Sequence, residues 1–351
     1  MSPSSTSSSL KIGAGDLRYE ALTGWESLPA GWSFVEVAGV ATDSQDRVYV
    51  FNRGEHPLII FDRDGRFLTS WGEGQFQRPH GIFIGPDDAV YCTDDLDHTV
   101  RKFTPDGRLL LTLGQSGTPS NTGIVGMDYR TIRCGGPPFN RPTNLALAAG
   151  GSMYVTDGYG NARAHCFAAD GRLLFSWGEP GSGPEQFNLP HGIAVDRLGK
   201  VYVADRENSR IQVFTAEGKF LTEWTDVLRP MQIFIDRLDR AFVVELGWQA
   251  GLFPWQTPPA PDPLAPEGSA PGHRAGEGAA RLSVFDLEGR LLASWASEGD
   301  PCAPGNFFAP HSIWIDSRGD LYIGEVVWSA GGNRGLVPPN CHALQKFVFV
   351  K

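Results

Sequence analysis

Residues 188–224 read NLPHGIAVDRLGKVYVADRENSRIQVFTAEGKFLTEW, and this stretch decides the fold. It contains a first strand opened by Pro190, the turn DRLGK, a second strand and an Asp-containing tip. A third strand ending in Phe214, the turn AEGK and a fourth strand ending in Trp224 complete it. Short runs rich in Val, Ile and Phe, bounded by Gly, Asp and Asn, are strands rather than helices. The unit recurs along the chain. Copies begin near Gln77 (QRPHGIFIGPDDAVYCTDD), Asn140 (NRPTNLALAAGGSMYVTDG), Arg229 (RPMQIFIDRLDRAFVVEL) and Phe308 (FAPHSIWIDSRGDLYIGEV). A diverged first copy runs VAGVATDSQDRVYVFNRG and then LIIFDRDGRFLTSWG, which makes six.

Four strands per unit with polar turns between them make a propeller blade. The repeat therefore predicts an all-β, six-bladed β-propeller. The sixth copy stops after its third strand, at LQKFVFVK, whereas LRYEALTGW (17–25) resembles an unattached fourth strand. Pairing that N-terminal strand with the last blade would close the ring and cover two sheet edges. No helical periodicity competes with this reading. The expected organisation is a disordered tail over 1–16, then a single propeller domain over 17–351 with a loop insertion at about 247–280. That insert carries Trp248, Phe253, Trp255 and His273, and reads as either a surface loop or a lid. A second departure spans Ser329–Asn340.

Composition narrows the function. Glycine (43) and proline (26) suit many tight turns in a chain of 351 residues. A formal net charge of −10 opposes nucleic-acid and anionic-membrane surfaces, which need clustered Lys and Arg. No apolar run is long enough to span a bilayer. The start MSPSSTSSSL lacks the basic and apolar regions of a secretory signal, so a cytoplasmic location is expected. The five cysteines (Cys92, Cys134, Cys166, Cys302, Cys341) are odd in number and show no CxxC spacing. Neither a disulfide framework nor a thiolate zinc site is expected from them.

Aligning the copies on the proline of the first strand singles out the next residue. It is His80, Thr143, His191, Met231 and His311 in copies two to six, and Ala38-Gly39 fills the place in copy one. Histidine thus falls on alternate blades, 111 and 120 residues apart. First strands line the central channel of a propeller, so these three imidazoles should converge on its axis. Three histidines with a fourth position open form a known catalytic zinc arrangement. His56, His98, His165, His273 and His342 show no such registry and read as surface or packing residues.

The end of each second strand carries an acid or amide and then a variable residue. The series is Asn52-Arg53, Asp94-Asp95, Asp157-Gly158-Tyr159, Asp205-Arg206, Glu245-Leu246 and Glu325-Val326. The repeated acid suits a structural role, accepting backbone N–H groups of the turn. Arg53, Tyr159 and Arg206 are the informative members, because a guanidinium at a channel mouth can grip a carboxylate and a phenol can act as a base.

The stretch VTDGYGNARAHCF, followed by NLPHGIAVD and VADRENSRIQVF, resembles the peptidyl-α-hydroxyglycine α-amidating lyases, members of the NHL-repeat propellers. The likeness runs over roughly 35–350. It implies zinc held by His80, His191 and His311, Tyr159 as base on a substrate hydroxyl, and Arg53 and Arg206 at the site. It also implies a structural calcium bound by the backbone carbonyls of Val40 and Ile82 and by an aspartate, whose place is taken here by Ser312. Gly160 stands where secreted relatives have a cysteine. The implied reaction cleaves the C–N bond of an α-hydroxyglycine to an amide and glyoxylate. The expected partner is a small-molecule or peptide-like substrate bearing an α-hydroxy group and a carboxylate. Two competing readings are a metal-dependent propeller hydrolase or lactonase and a non-catalytic NHL binding scaffold.

Overall fold

The computed structural model describes residues 10–22, 24–248 and 278–350. Five blades are four-stranded antiparallel sheets, with inner strands Val37–Thr42, Pro79–Ile84, Pro142–Leu147, Pro190–Val195 and Pro230–Ile235. The sixth begins with Pro310–Ile315 and Leu321–Glu325 and continues with Leu344–Phe349. Leu17–Leu22 from the N-terminus then pairs antiparallel with Leu344–Phe349, Tyr19 facing Phe349 and Leu22 facing Lys346. The expected closure of the ring by an N-terminal strand is what the structure shows. Each inner strand packs against those of its two neighbours, blade six against blade one included.

In five blades the second strand is buried along its whole length, and in blade five all of it but Arg240, while outer strands such as Phe220–Trp224 expose several residues. Sheets packed face to face cover both sides of their inner strands, so those strands read as continuous apolar runs. The tryptophans ending the outer strands join one blade to the next. Trp71 packs 5.1 Å from Phe103, Trp177 5.7 Å from Phe214, and Trp224 5.6 Å from Phe285. Trp25, just after the N-terminal strand, does the same across the closure. It lies 5.8 Å from Phe61 of blade one and donates its indole N–H to the Arg63 carbonyl at 2.9 Å.

Three expectations meet a different structure. Leu10–Ala14, inside the segment expected as a disordered tail, forms a fifth strand of blade six paired with Leu17–Leu22. Residues 115–141 make a further excursion that carries a short 3-10 turn, Tyr129–Thr131. The signal for it is spacing: Pro79 and Pro142 are 63 residues apart, whereas Pro190 and Pro230 are 40 apart. Third, Cys302 and Cys341 form a disulfide, with Cα atoms 4.9 Å apart. One lies in the loop entering blade six and the other in the excursion before its third strand. Folding brings together two cysteines whose separation of 39 residues carries no motif. Cys92, Cys134 and Cys166 are free thiols. The 329–340 departure holds the helical turn Val327–Ala330 and a 3-10 turn, Gly332–Arg334. Most of the 247–280 insert, with Phe253, Trp255 and His273, lies outside the described residues.

Candidate metal centre and its mouth

The repeated acids explain how each inner strand starts. Asp94 accepts the N–H groups of Gln77 and Arg78, Asp157 that of Asn140, and Asp205 that of Asn188. Glu325 accepts those of Phe308 and Ala309, Glu245 that of Leu228, and Asn52 that of Val35. All six side chains are buried, and satisfying these donors pins the residue before each strand.

One position after the strand opens, the ladder slips. Pro190 pairs with Asp205 and Gly192 with Ala204, which leaves His191 unpaired in a bulge. The same shift occurs between Pro310 and Ser312, and between Pro79 and Ile82. Bulges re-aim side chains, and here they turn the histidines onto the axis. The rings of His80, His191 and His311 stand with centroids 4.7–4.9 Å apart, and all three are buried. One ring nitrogen from each lies within 4.8 Å of the others.

The odd-numbered blades orient these imidazoles. His80 Nδ1 donates to the Thr143 carbonyl at 2.7 Å, His191 Nδ1 to that of Met231 at 2.8 Å, and His311 Nδ1 to that of Ala38 at 2.7 Å. Thr143, Met231 and Ala38 occupy the histidine position of the neighbouring blades. Their carbonyls set the tautomer and leave each Nε2 lone pair directed inward, as the outer hydrogen bond of a metal-ligating histidine does. A Cβ on Gly192 would lie 2.5 Å from the Met231 carbonyl oxygen, and one on Gly81 would lie 2.6 Å from that of Thr143. Glycine after His80 and His191 therefore permits the close approach of those blades to their neighbours, whereas Ser312 follows His311.

Nε2 of His80 and of His311 is buried without a hydrogen-bond partner. Burial, reinforced by neighbouring imidazoles and arginines, pushes all three histidines well below their usual pKa. Neutral imidazoles with bare inward nitrogens suit a divalent metal, and three nitrogen donors with an open side fit zinc. The calcium expectation fares differently. Ser312 Oγ accepts the Val40 N–H at 2.9 Å and brings no negative charge to the carbonyls of Val40 and Ile82. A hard cation favours carboxylate oxygens, so these residues do not fit calcium.

The structure places Tyr159 and Arg206 at the histidines. The Tyr159 hydroxyl lies 3.2 Å from His191 Nε2 and receives a hydrogen bond from Arg206 Nη1 at 3.2 Å. Arg53 donates from Nε to the Pro79 carbonyl and from Nη1 to Glu36, while its buried Nη2 has no partner. Although burial opposes its charge, Glu36, Asp95 and Tyr159 hold Arg53 above the ordinary guanidinium value.

Sequence reasoning missed the residues that hold this machinery. Glu207 accepts from Arg206 Nε at 2.7 Å and from Arg229 Nη2 at 2.8 Å. The Glu207 carboxylate also acts on Tyr129 of the 115–141 excursion, whose phenol burial and that charge push up to about 12. Arg229 stacks 4.5 Å over Trp248, at the stem of the insert. On the other side Glu36 takes Arg53 and the Ser329 N–H, tying in the turn that carries Trp328. Arg78 stands 5.6 Å from the Tyr159 ring centroid and 3.2 Å from Asp95. Only the folded ring reveals that these charges converge.

The other described histidines are structural. His56 stacks on Trp32, and His98 accepts the Arg141 N–H. His165 lies buried between Ser176 and Asp157, and His342 pairs with Glu325.

The closed ring of six repeats, five of four strands and one of five, is an NHL-repeat β-propeller, and the chain belongs to that class; an NHL repeat is matched at residues 187–214. Within it, the chain resembles the amidating lyases. It is 33% identical over 286 residues to peptidyl-alpha-hydroxyglycine alpha-amidating lyase 1 of Drosophila melanogaster, covering 77% of this chain and 46% of that protein. It is 34% identical over 221 residues to NHL repeat-containing protein 3 of Homo sapiens, covering 59% of this chain and 60% of that one. The chain thus spans about half to three-fifths of the length of these two relatives. A solved streptogramin B lyase shares the fold, with a TM-score of 0.55, 12% identity, and coverage of 91% of this chain and 96% of that one.

Proposed function

We propose that the protein is a zinc-dependent lyase that cleaves the C–N bond of an α-hydroxyglycine-like carbinolamide. The products are an amide and glyoxylate or a similar carbonyl compound. The observation that carries this reading is the set of three buried imidazoles, each oriented through Nδ1 by a neighbouring blade, with Tyr159 and Arg206 beside them. A non-catalytic scaffold has no use for bare imidazole nitrogens in its core. Lyase-named relatives support the reaction class.

His80, His191 and His311 would hold the zinc, which when bound supplies Lewis-acid polarisation of the substrate hydroxyl. Arg53 Nη2, buried and without a partner, donates to the substrate carboxylate. Tyr159 takes the hydroxyl proton, and the Arg206 hydrogen bond orients the phenol oxygen that receives it. The freed O–H pair becomes the new C=O bond while the C–N bond breaks. The proton passes from Tyr159 to the departing nitrogen, which completes the amide.

Among the described residues no helix is long and apolar enough to cross a membrane. The Cys302–Cys341 disulfide favours an oxidising compartment over the expected cytoplasm.

The test has two parts. Purified protein should carry about one equivalent of zinc, as one three-histidine site requires, and His191→Ala should lose it. Zinc-loaded protein should release glyoxylate from α-hydroxyhippurate. Loaded protein that releases none, while Tyr159→Phe still hydrolyses esters or lactones, rejects the lyase in favour of a propeller hydrolase.

A further inference from the structure

The variable residue after each structural acid is anchored in a common way. Its N–H bonds the carbonyl of the residue preceding the inner strand: Arg53 to Glu36, Asp95 to Arg78, and Arg206 to Leu189. Asp95 therefore occupies on blade two the place of Arg53 on blade one and Arg206 on blade four. Blades one and two carry an ion pair at the same place with its polarity exchanged, Glu36–Arg53 and Arg78–Asp95, the carboxylate buried in both.

The two pairs differ in how they are satisfied. Both Glu36 oxygens are used, one by Arg53 and one by the Ser329 N–H. Asp95 is fully buried, and neither of its oxygens has a hydrogen-bond partner; Arg78 Nη2 stands 3.2 Å from Oδ2 without completing one. Nor does the blade need Asp95 structurally, since the adjacent Asp94 already takes the Gln77, Arg78 and Asp97 N–H groups. Buried carboxylate oxygens without donors require an explanation. Arg53, Arg78 and Arg141 face Asp95, and Arg53 carries the unpartnered Nη2. Adjacent blades thus carry a buried acceptor and a buried donor, each without a hydrogen bond.

We propose that Asp95 contacts substrate and accepts a hydrogen bond from the N–H of the scissile C–N bond, so that the site selects carbinolamides bearing that hydrogen. The proposal rests on the carbinolamide reading above. With the hydroxyl at Tyr159 and the carboxylate at Arg53, the nitrogen is the remaining polar substituent of the reacting carbon. An N-alkylated compound would leave the buried Asp95 oxygens unpaired and place an alkyl group against them. Arg78, 3.2 Å from Asp95 and 5.6 Å from the Tyr159 ring centroid, is a positioning residue for that carboxylate.

The experiment compares binding of hippurate and N-methylhippurate to zinc-loaded protein by titration calorimetry, so it needs no turnover. Wild type should bind hippurate about 10- to 100-fold more tightly, as a lost hydrogen bond to a charged group implies. In Asp95→Val the ratio should fall to within about threefold. Should that variant fail to fold, Arg78→Leu/Asp95→Val removes the ion pair whole. It installs the residue types that Leu189 and Val326 provide at these places on other blades. Discrimination that persists in either variant overturns the proposal. So does equal affinity of wild type for both ligands, including no measurable binding of either. Glyoxylate released from α-hydroxyhippurate without N–H discrimination would sink the Asp95 assignment alone. Discrimination without glyoxylate would sink the lyase reading alone.

Discussion

Replacing Glu207 by Ala should cost this protein much of its stability. Glu207 Oε1 accepts two charge-assisted bonds, from Arg206 at 2.7 Å and Arg229 at 2.8 Å. Both guanidiniums are almost wholly buried, at 2% and 1% side-chain exposure, so water cannot take over their charge. Removing one partner of a buried pair costs about 3–5 kcal/mol, chiefly through the charge left uncompensated. Glu207→Gln keeps acceptor oxygen but no charge, and should cost about half as much. The measurement is the urea midpoint multiplied by the slope of the transition. Arg197→Ala is the control: its ion pair with Asp239 leaves the Arg197 side chain 75% exposed, and its removal should change stability by about 0–1 kcal/mol. Glu207→Ala should also slow the proposed reaction, because Arg206 loses the partner that aims it at Tyr159. A Glu207→Ala midpoint no lower than that of Arg197→Ala would refute the reasoning.

Tyr159→Phe should lower kcat by about 10²–10⁴-fold, the usual share of a general base, with zinc content unchanged. Trp25→Ala removes the ring that seals blade six to blade one and should cost about 3–5 kcal/mol in urea unfolding. Alkylation of denatured protein should label three cysteines before reduction and five after. Cys302→Ala/Cys341→Ala should lose about 4 kcal/mol on the loop-entropy account, for a separation of 39 residues. Burial works against charge on His342, yet Glu325 at 3.0 Å raises its pKa above the ordinary value. Its contribution is then complete below about pH 6.5, the unfolded value, and fades as pH rises through the higher folded one. Melting temperatures from pH 6 to 9 should show that loss in wild type and not in His342→Ala.

Blade number, ring closure and the alternating histidines were legible in the chain. A propeller writes each blade as one local unit of four strands, and equivalent positions repeat on a fixed register. His80, His191 and His311 could be aligned because each follows a strand-opening Pro, and Arg53, Tyr159 and Arg206 because each comes one or two residues after the acid or amide that ends a second strand. Sequence by itself thus determined the fold and which residues would face the axis. It could not show which groups from different blades meet. The carbonyls of Thr143, Met231 and Ala38 orient the imidazoles through bonds that depend on position and hardly at all on side-chain type. Glu36, Glu207 and Arg78 carry no signal in the sequence, and only the assembled ring buries Glu36 and Glu207 against arginines and sets the half-buried Arg78 against Asp95. Cys302 and Cys341, without motif spacing, pair because two loops of blade six converge. Local patterning decided the repeat. Tertiary closure alone decided the charge environment of its mouth, since burial and neighbours set electrostatics, and both are properties of the assembled ring.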